Sequence, residues 1–421
     1  MKRIWIIFFF YCIFVPVWAN SRHMLTTEEL LRLSEKNSQS INQAQLDVLV
    51  KVKEIEVAKA HYFPILRAEA LESTGFPGSS NWLGIEGLVG SPYRSGPTAG
   101  VVAKQLIYDF GKTAAAVNAA RSQVNVARQT TRVTMYEVQL FALKAFYQCA
   151  TYKKKQEIWS NLAKESALIT KEAKHFVKTG QRSVVDNYLS ESETQEARTE
   201  YSYLKEQVLG SLKELSVIIG KSASTIDCPV LSESLIDSLN SKSRVYSSPY
   251  VKRAIADAKA AYENLIKEKS RFRPEIVAIA SGGGMDKTHL IGREDYAVGV
   301  GVSMPLFDLN ITSRINKAQA KLLVKQKAVA AQKQYIQELN AQLDLSIKST
   351  LIRIKHLNIE LNIAQEGFKV AKKRYFNLEG DLVDLREAWR NLARAQIIIE
   401  DARNELLLSK AAKALLNGWG Y

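Results

Sequence analysis

The chain has 421 residues, of which 46% are hydrophobic, and a formal net charge of +15. This length allows two or three domains with a substantial core, and the mean hydropathy of −0.15 excludes a polytopic helical membrane protein. The basic residues are spread along helical stretches and mixed with acidic ones, which indicates solvated helix faces and excludes nucleic acid as the expected partner.

The N-terminal segment predicts export. Lys2-Arg3 precedes an apolar run over residues 4–17, and small side chains near Ala19 suit a cleavage site. Residues 1–19 are therefore predicted to be a signal peptide. A single transmembrane anchor is the alternative, although the run is shorter than the ~20 residues that a spanning helix needs.

Two cysteines remain in the mature chain, Cys149 and Cys228. In an oxidising compartment they could pair as a disulfide. A buried free thiol at Cys149, inside a helical stretch, is the alternative, and the sequence leaves both open.

Glycine and proline mark the helical organisation. Residues 112–179 and 306–366 contain neither residue type, and they predict helices of ~100 Å and ~90 Å at 1.5 Å per residue. Apolar positions recur at spacings of three and four, as in long coiled helices. A plain intracellular coiled coil is the alternative, but a signal peptide and glycine-rich segments fit it poorly.

The glycine-rich regions predict four strands. They lie near residues 65–73, 99–107, 275–281 and 296–306. In the last of them Val298, Val300, Val302 and Met304 share one face, and small residues occupy the other. A bulky apolar face opposite a small one suits the wall of a membrane β-barrel, with lipid contacting the valines. A half-buried strand of a soluble sheet is the alternative.

The two halves of the chain resemble each other at strand boundaries. The helix-to-strand segment ending at Pro64 matches the one ending at Pro274, and "LIYD" ending at Asp109 matches "PLFD" ending at Asp308. Both aspartates are placed to accept hydrogen bonds from the first-turn N–H groups of a long helix.

A third match follows the long helices. Residues 180–186 correspond to residues 380–384 if two residues are missing from the second copy. These matches predict a duplicated unit of helix, strand, strand, long helix and helix. The predicted boundaries are a first repeat at 20–230, a linker at 231–248, a second repeat at 249–417 and a C-terminal tail at 418–421.

With these motifs in order, the chain resembles the TolC family of outer-membrane efflux proteins over roughly residues 25–416. The resemblance implies a mostly α fold with a transmembrane β-barrel part. It implies a homotrimer in which each protomer gives four strands to a twelve-stranded barrel in contact with outer-membrane lipid. That barrel would continue into a long periplasmic α-helical coiled-coil barrel. Independently, four strands with open edges cannot face lipid alone, because their backbone groups would be unsatisfied.

The resemblance also implies a gate at the periplasmic entrance. Acidic residues line this entrance in the family, in a motif like "VDxxDA" that residues 383–388 match. Asp384 and Glu387 are therefore the candidate ring. A helix-start aspartate with a capping-box-like glutamate three residues later is the alternative.

The first copy departs from this pattern. Asp186 takes the place that corresponds to Asp384, but Leu189 stands where the second acid would be. The second copy lacks the Gly-x-Arg-Ser arrangement of residues 180–183, which removes an arginine that the family can use to tie the closed gate. Arg386 is the candidate to replace it.

The function implied is a passive exit duct of a tripartite efflux or type I secretion system, gated at its periplasmic end. It would lie in the outer membrane of a Gram-negative bacterium, extend into the periplasm, and bind a periplasmic adaptor and an inner-membrane transporter. Small molecules and an unfolded polypeptide both remain open as cargo. The alternative is a periplasmic coiled-coil adaptor or structural protein, although a single hairpin would not give two copies with four strands.

Enzymatic motifs are missing from the sequence. The five histidines are scattered, with no H-E-x-x-H or G-x-S-x-G pattern, and Gly282-Gly283-Gly284 lacks the following Gly-Lys-Ser/Thr of a phosphate loop. We therefore expect no catalytic residues, cofactor or metal.

Overall fold

The computed structural model describes residues 23–73, 96–229, 245–285 and 294–418. The predicted signal peptide, most of the predicted linker and the end of the predicted tail lie outside these ranges. The chain is mostly helical. Its helices are α1 Thr27–Asn37, α2 Gln39–Lys59, α3 Lys112–Lys178, α4 Val184–Ile219, α5 Pro249–Lys269, α6 Leu309–Phe376 and α7 Leu382–Leu416. Its strands are β1 His23–Met24, β2 Ile65–Ser73, β3 Gly96–Tyr108, β4 Ile226–Asp227, β5 Glu275–Met285 and β6 Glu294–Ser303.

The chain forms two compact units. We call the first the sheet unit; it comprises Ser38–Leu140, Ser234–Ser349 and Ser409–Tyr421. We call the second the turn unit; it comprises Met1–Asn37, Phe141–Glu233 and Thr350–Leu408.

The sheet unit contains one antiparallel sheet with strand order β2-β3-β5-β6. Its β5–β6 register places Ala278 opposite Val300 and Val277 opposite Gly301. Because side chains alternate between faces, Val298, Val300 and Val302 share one face, and they are 87%, 68% and 72% exposed. The opposite face carries small residues on β6 and the buried Val277.

The end of β6 differs from the sequence expectation. The strand ends at Ser303, so the prediction that it reaches residue 306 and carries Met304 on its apolar face is wrong. Pro305 has no N–H to donate and cannot extend the ladder, and Met304 lies beyond the strand in the connection to α6.

The first strand-to-helix junction is built on Asp109. Its Oδ1 accepts from the Gly111 N–H at 3.0 Å and its Oδ2 from the Thr113 N–H at 2.5 Å, which caps α3. Burial would raise the pKa of Asp109, but hydrogen bonds from Thr113, Gly111 and Lys112 outweigh it and hold the pKa below the ordinary value. The carboxylate is therefore a fixed structural acceptor.

The second junction uses Asp308 in the same way. Its Oδ1 accepts from the backbone N–H groups of Asn310 at 2.7 Å and Ile311 at 3.3 Å. The Thr312 N–H donates to the Asp308 carbonyl at 3.2 Å, which closes the first turn of α6. Each long helix after a strand thus begins at an aspartate that satisfies its orphan N–H groups.

The turn unit contains a disulfide between Cys149 and Cys228, with a Cα–Cα distance of 5.4 Å. Both residues are fully buried. Beside it, Lys153 Nζ lies 2.8 Å from Asp227 Oδ2. The segment after α4 is therefore held against α3 by a covalent link and an ion pair, and β4 within it pairs in parallel with β1.

An apolar core joins four helices of the turn unit. It contains side chains from α3, α4, α6 and α7, including Leu162, Ile169, Phe176, Ala197, Phe368, Tyr375, Leu385, Trp389 and Leu392. The rings of Trp159 and Trp389 meet edge to face, with centroids 6.0 Å apart. This packing fixes the helix ends that carry the two turns described next.

None of the helices in the described part of the chain is sufficiently long and apolar to span a membrane.

Candidate functional site

The two helix-to-helix turns of the turn unit have the same hydrogen-bond pattern. After α3, the Gly180 N–H donates to the Val177 carbonyl at 3.1 Å; after α6, the Leu378 N–H donates to the Tyr375 carbonyl at 3.1 Å. Both Gly180 and Leu378 have positive φ, 74° and 65°. Glycine adopts this conformation without strain, whereas leucine does not.

This geometry corrects the sequence alignment of the turns. Gly180 corresponds in position to Leu378 and not to Gly380, so the prediction of two missing residues in the second copy is wrong. Glycine usually occupies the left-handed position after a helix, which suggested that Gly380 was the equivalent of Gly180. In the structure Leu378 occupies this position. Gly380 consequently occupies the position in the second turn that Arg182 occupies in the first.

The new helices begin at matching caps. Ser183 Oγ accepts from the Val185 N–H at 3.2 Å at the start of α4. Asp381 Oδ1 accepts from the Asp384 N–H at 2.8 Å at the start of α7. The capping residue of α7 is thus Asp381, so Asp384 is not the helix-start cap of the alternative interpretation.

The candidate ring residues lie on the surface. Asp384 and Glu387 are both exposed and are three residues apart on α7, which places them on one face of the helix. Within the described ranges, neither carboxylate has a hydrogen bond or an ion pair. They are therefore free to face solvent or another copy of the chain.

Arg182 and Tyr375 tie the two turns together. The Arg182 guanidinium donates through Nη2 to the Gly380 carbonyl, and its Cζ lies 5.1 Å from the centre of the Tyr375 ring, close enough for a cation–π contact. The Tyr375 hydroxyl lies 3.5 Å from Asp186 Oδ2. These contacts, which we call the turn latch, hold the ends of α3 and α4 to the ends of α6 and α7.

The aromatic part of the latch is buried, whereas Arg182 and Asp186 are half-buried. Tyr375 is fully buried, and its ring meets that of Phe176 edge to face at 5.9 Å. Burial first, and the Asp186 carboxylate second, raise the pKa of Tyr375 to about 12, against a smaller lowering by Arg182. The phenol therefore remains a neutral donor throughout the physiological range.

Arg386 lies in a second cluster, which we call the acid–base clamp. Its Nε lies 2.5 Å from Glu193 Oε1 on α4. Arg390 Nη2 lies 3.1 Å from the same oxygen and 3.1 Å from Glu196 Oε2. Arg386 thus pairs with Glu193 of its own chain, and its role in closing the gate in place of the missing arginine stays a prediction.

Glu193 is the most buried member of the clamp, with 7% of the residue exposed. Its Oε2 has no hydrogen-bond partner in the described part of the protein. Burial raises the pKa of Glu193 above the ordinary value, although Arg386 and Arg390 act in the opposite direction. Burying the clamp therefore carries a desolvation penalty, and removing one of its charged partners would destabilise the fold.

Sequence reasoning did not find Glu193 or Tyr375. A signal for Glu193 does exist, because Ser190, Thr194 and Ala197 are buried with it at the spacing of one helix face. A carboxylate on a buried helix face requires a cationic partner, but the sequence pattern does not indicate that the partner lies on α7. Among the described residues, no group of three or more histidine, cysteine, aspartate or glutamate side chains could hold a metal ion.

The chain is similar to known outer-membrane proteins in sequence family and in fold. The family model for outer membrane efflux proteins matches residues 30–221 and 245–418. No curated protein sequence gives a significant match.

Solved structures give fold matches over nearly the full chain. VceC, an outer membrane protein of Vibrio cholerae, has a TM-score of 0.76 at 18% identity, covering 93% of this chain and 96% of that one. CusC has a TM-score of 0.79 at 13% identity, covering 95% and 96%. The CmeC outer membrane channel of Campylobacter jejuni has a TM-score of 0.74 at 14% identity, covering 94% and 87%. At these identities the similarity shows the fold.

Proposed function

The chain belongs to the outer membrane efflux protein family, and from this premise we propose that it is the passive exit duct of a tripartite export system. The family is one of outer-membrane channels, not enzymes. The observation that carries the proposal is the family match across both halves of the chain, 30–221 and 245–418. The duct would lie in the outer membrane of a Gram-negative cell, reach into the periplasm, and require no cofactor.

The sheet supports a trimer. Its four strands leave β2 and β6 as edges, and an unpaired edge cannot face lipid. Single-chain barrels of the outer membrane have at least eight strands. Three copies would supply twelve strands and no edge, with Val298, Val300 and Val302 on the lipid side. A duplicated ancestral unit accounts for the matching turns and junctions.

The turn unit supports a gate at the periplasmic end. We assign Asp384 and Glu387 to a ring around the entrance, where three copies would place six carboxylates near one axis. The turn latch, with Asp186, would hold the helix ends in the closed state. A periplasmic adaptor and an inner-membrane transporter would displace it and deliver either small molecules or a polypeptide.

Removal of this chain from its cell tests the export function directly. We expect greater sensitivity to toxic small molecules, or loss of one exported protein from the medium, because the last step of export is missing. Re-expression of the full chain should restore the phenotype, and re-expression without residues 1–19 should not. Unchanged sensitivity and unchanged export together would contradict the proposal.

Replacing both ring residues, Asp384→Ala with Glu387→Ala, is expected to raise single-channel conductance and weaken block by multivalent cations. Carboxylates around a narrow axis repel each other and concentrate cations. Conductance in planar bilayers, with and without hexamminecobalt, measures both effects. The matched control is Glu360→Ala with Glu366→Ala, two exposed acids on α6. Equal block by hexamminecobalt in the ring variant and the control would contradict the assignment of Asp384 and Glu387 to the entrance ring.

A further inference from the structure

A charged pocket of about 230 Å³ lies in the sheet unit where β5 and β6 meet the ends of α3, α5 and α6. Its charged lining is four basic side chains and two acidic ones. These are Lys112, Arg271, Arg273, Arg314, Glu275 and Asp308. The pocket shares no residue with the turn latch or the acid–base clamp.

The acidic groups near the pocket are already engaged. Glu275 Oε2 lies 2.9 Å from Lys112 Nζ, and Asp308 accepts the backbone N–H groups that begin α6. Arg271 pairs with Glu268 at 2.6 Å. Two of the four basic side chains of the pocket, Lys112 and Arg271, are therefore paired with carboxylates.

Arg273 and Arg314 keep free donors. Arg273 donates through Nη1 to the Phe110 carbonyl at 2.9 Å, and Arg314 donates through Nε to Asn310 Oδ1 at 3.0 Å. Within the described ranges, neither has a carboxylate partner. A guanidinium has five N–H donors in a fixed fork that matches phosphate and carboxylate oxygens, so most of these donors remain for a ligand.

The register tells which side of the sheet the pocket occupies. Two of its lining residues, Glu275 and Ser303, are directly paired. Because faces alternate, this pair lies on the same face as the Val277–Gly301 pair and opposite the exposed valines of β6. If the valines contact lipid, as the proposed function requires, the pocket opens on the interior of the duct.

We propose that this pocket binds the phosphate or carboxylate groups of anionic solutes inside the duct, at the boundary between strands and helices. The inference rests on the proposed function and adds a substrate class to it. In a trimer, three such pockets would form a basic belt. The belt would favour anionic cargo through residues other than those of the acidic entrance.

Planar-bilayer recordings on the purified full-length trimer test the belt, with inorganic pyrophosphate as the probe. Arg314→Gln removes one unpaired cation and keeps a polar, hydrogen-bonding side chain. We expect the reversal potential in a KCl gradient to shift toward cation selectivity. The pyrophosphate concentration that halves the current should rise about tenfold, the change expected from losing one charge-assisted hydrogen-bonding group.

Three companion variants separate the effect of charge from the effect of structure. Arg314→Lys should keep the wild-type reversal potential, because it keeps the positive charge while losing the fork. Arg353→Gln, much further along α6 and paired with Glu405, makes the same charge change away from the pocket and should leave block unchanged. Arg273→Gln, which removes the other unpaired cation, should reproduce the effect of Arg314→Gln.

The lipid composition of the bilayer distinguishes solute from headgroup. Pyrophosphate block of equal strength in neutral and in phosphatidylglycerol-containing bilayers supports a solute site in the interior. Loss of block when anionic lipid is present would show that headgroups fill the pocket, and would overturn the inference. Channels that conduct normally but show the same block and selectivity in Arg314→Gln would also overturn it, while leaving the duct intact. Absence of any channel in the wild type would instead contradict the proposed function itself.

Discussion

Removing the disulfide between Cys149 and Cys228 is expected to lower the unfolding free energy of the turn unit by about 4 kcal/mol. The bond joins residues 79 positions apart, and a cross-link that closes so long a loop restricts the unfolded chain strongly. Both cysteines are fully buried, so alanine is the better replacement. Serine would add a buried hydroxyl that requires a partner.

The measurement can use tryptophan fluorescence in a denaturant titration. Trp159 and Trp389 both pack in the turn unit, so their emission follows its unfolding. Cys149→Ala and Cys228→Ala should each cost nearly as much as the double variant, because either change removes the whole bond. Two single effects that sum to the double effect would mean that the cysteines act through packing and that the bond is not formed.

The family could be predicted from the sequence because its signals are local. Glycine, proline and capping aspartate act within a few residues, so the order of helix, Pro, strand and Asp-capped helix is readable without contacts. The family match confirms the resemblance. The pairing of Cys149 with Cys228 was not readable, because it depends on how the segment after α4 folds back onto α3.

The errors in the prediction also have local causes. Alternation of side chains continues through Met304, although Pro305 ends hydrogen bonding at Ser303. The turn alignment assumed that glycine marks the left-handed residue, whereas Leu378 occupies it at φ 65°. The contacts of the latch and the clamp join residues nearly two hundred positions apart in the sequence. The periodicity of a helix does not indicate which other helix it packs against.

Replacing Glu193 with Ala is expected to destabilise the turn unit by about 3 kcal/mol. Removal of one partner from a buried ion pair typically costs 3–5 kcal/mol. The lower end applies here because the side chains of Arg386 and Arg390 are 29% and 40% exposed and can gain some water. Glu193→Gln keeps one acceptor oxygen and similar volume, so we expect roughly half of that loss.

The pH dependence separates ionisation from packing. Burial raises the pKa of the native Glu193 carboxyl above its ordinary value, so the folded chain holds this proton more tightly than the unfolded chain does. By linkage, the contribution of this group to stability is fully present below the unfolded pKa and is lost as pH rises through the native pKa. The Gln variant has no such titration. Its stability relative to wild type should therefore improve as pH rises from about 4 toward neutrality.

These two variants decide whether the clamp is held by charge or by shape. Glu196→Gln is the control, since among the described residues Glu196 forms an ion pair with Arg390 only and its side chain is 45% exposed; exposed pairs contribute about 1 kcal/mol or less. If Glu193→Ala costs no more than this control, the two arginines are satisfied by solvent, and α4 and α7 are joined by their apolar core alone. If it costs the expected amount, the clamp stabilises the helix ends next to the latch. Under the proposed function, opening of the entrance would then cost least if it broke the contacts of Arg182 and Tyr375 and left the clamp intact.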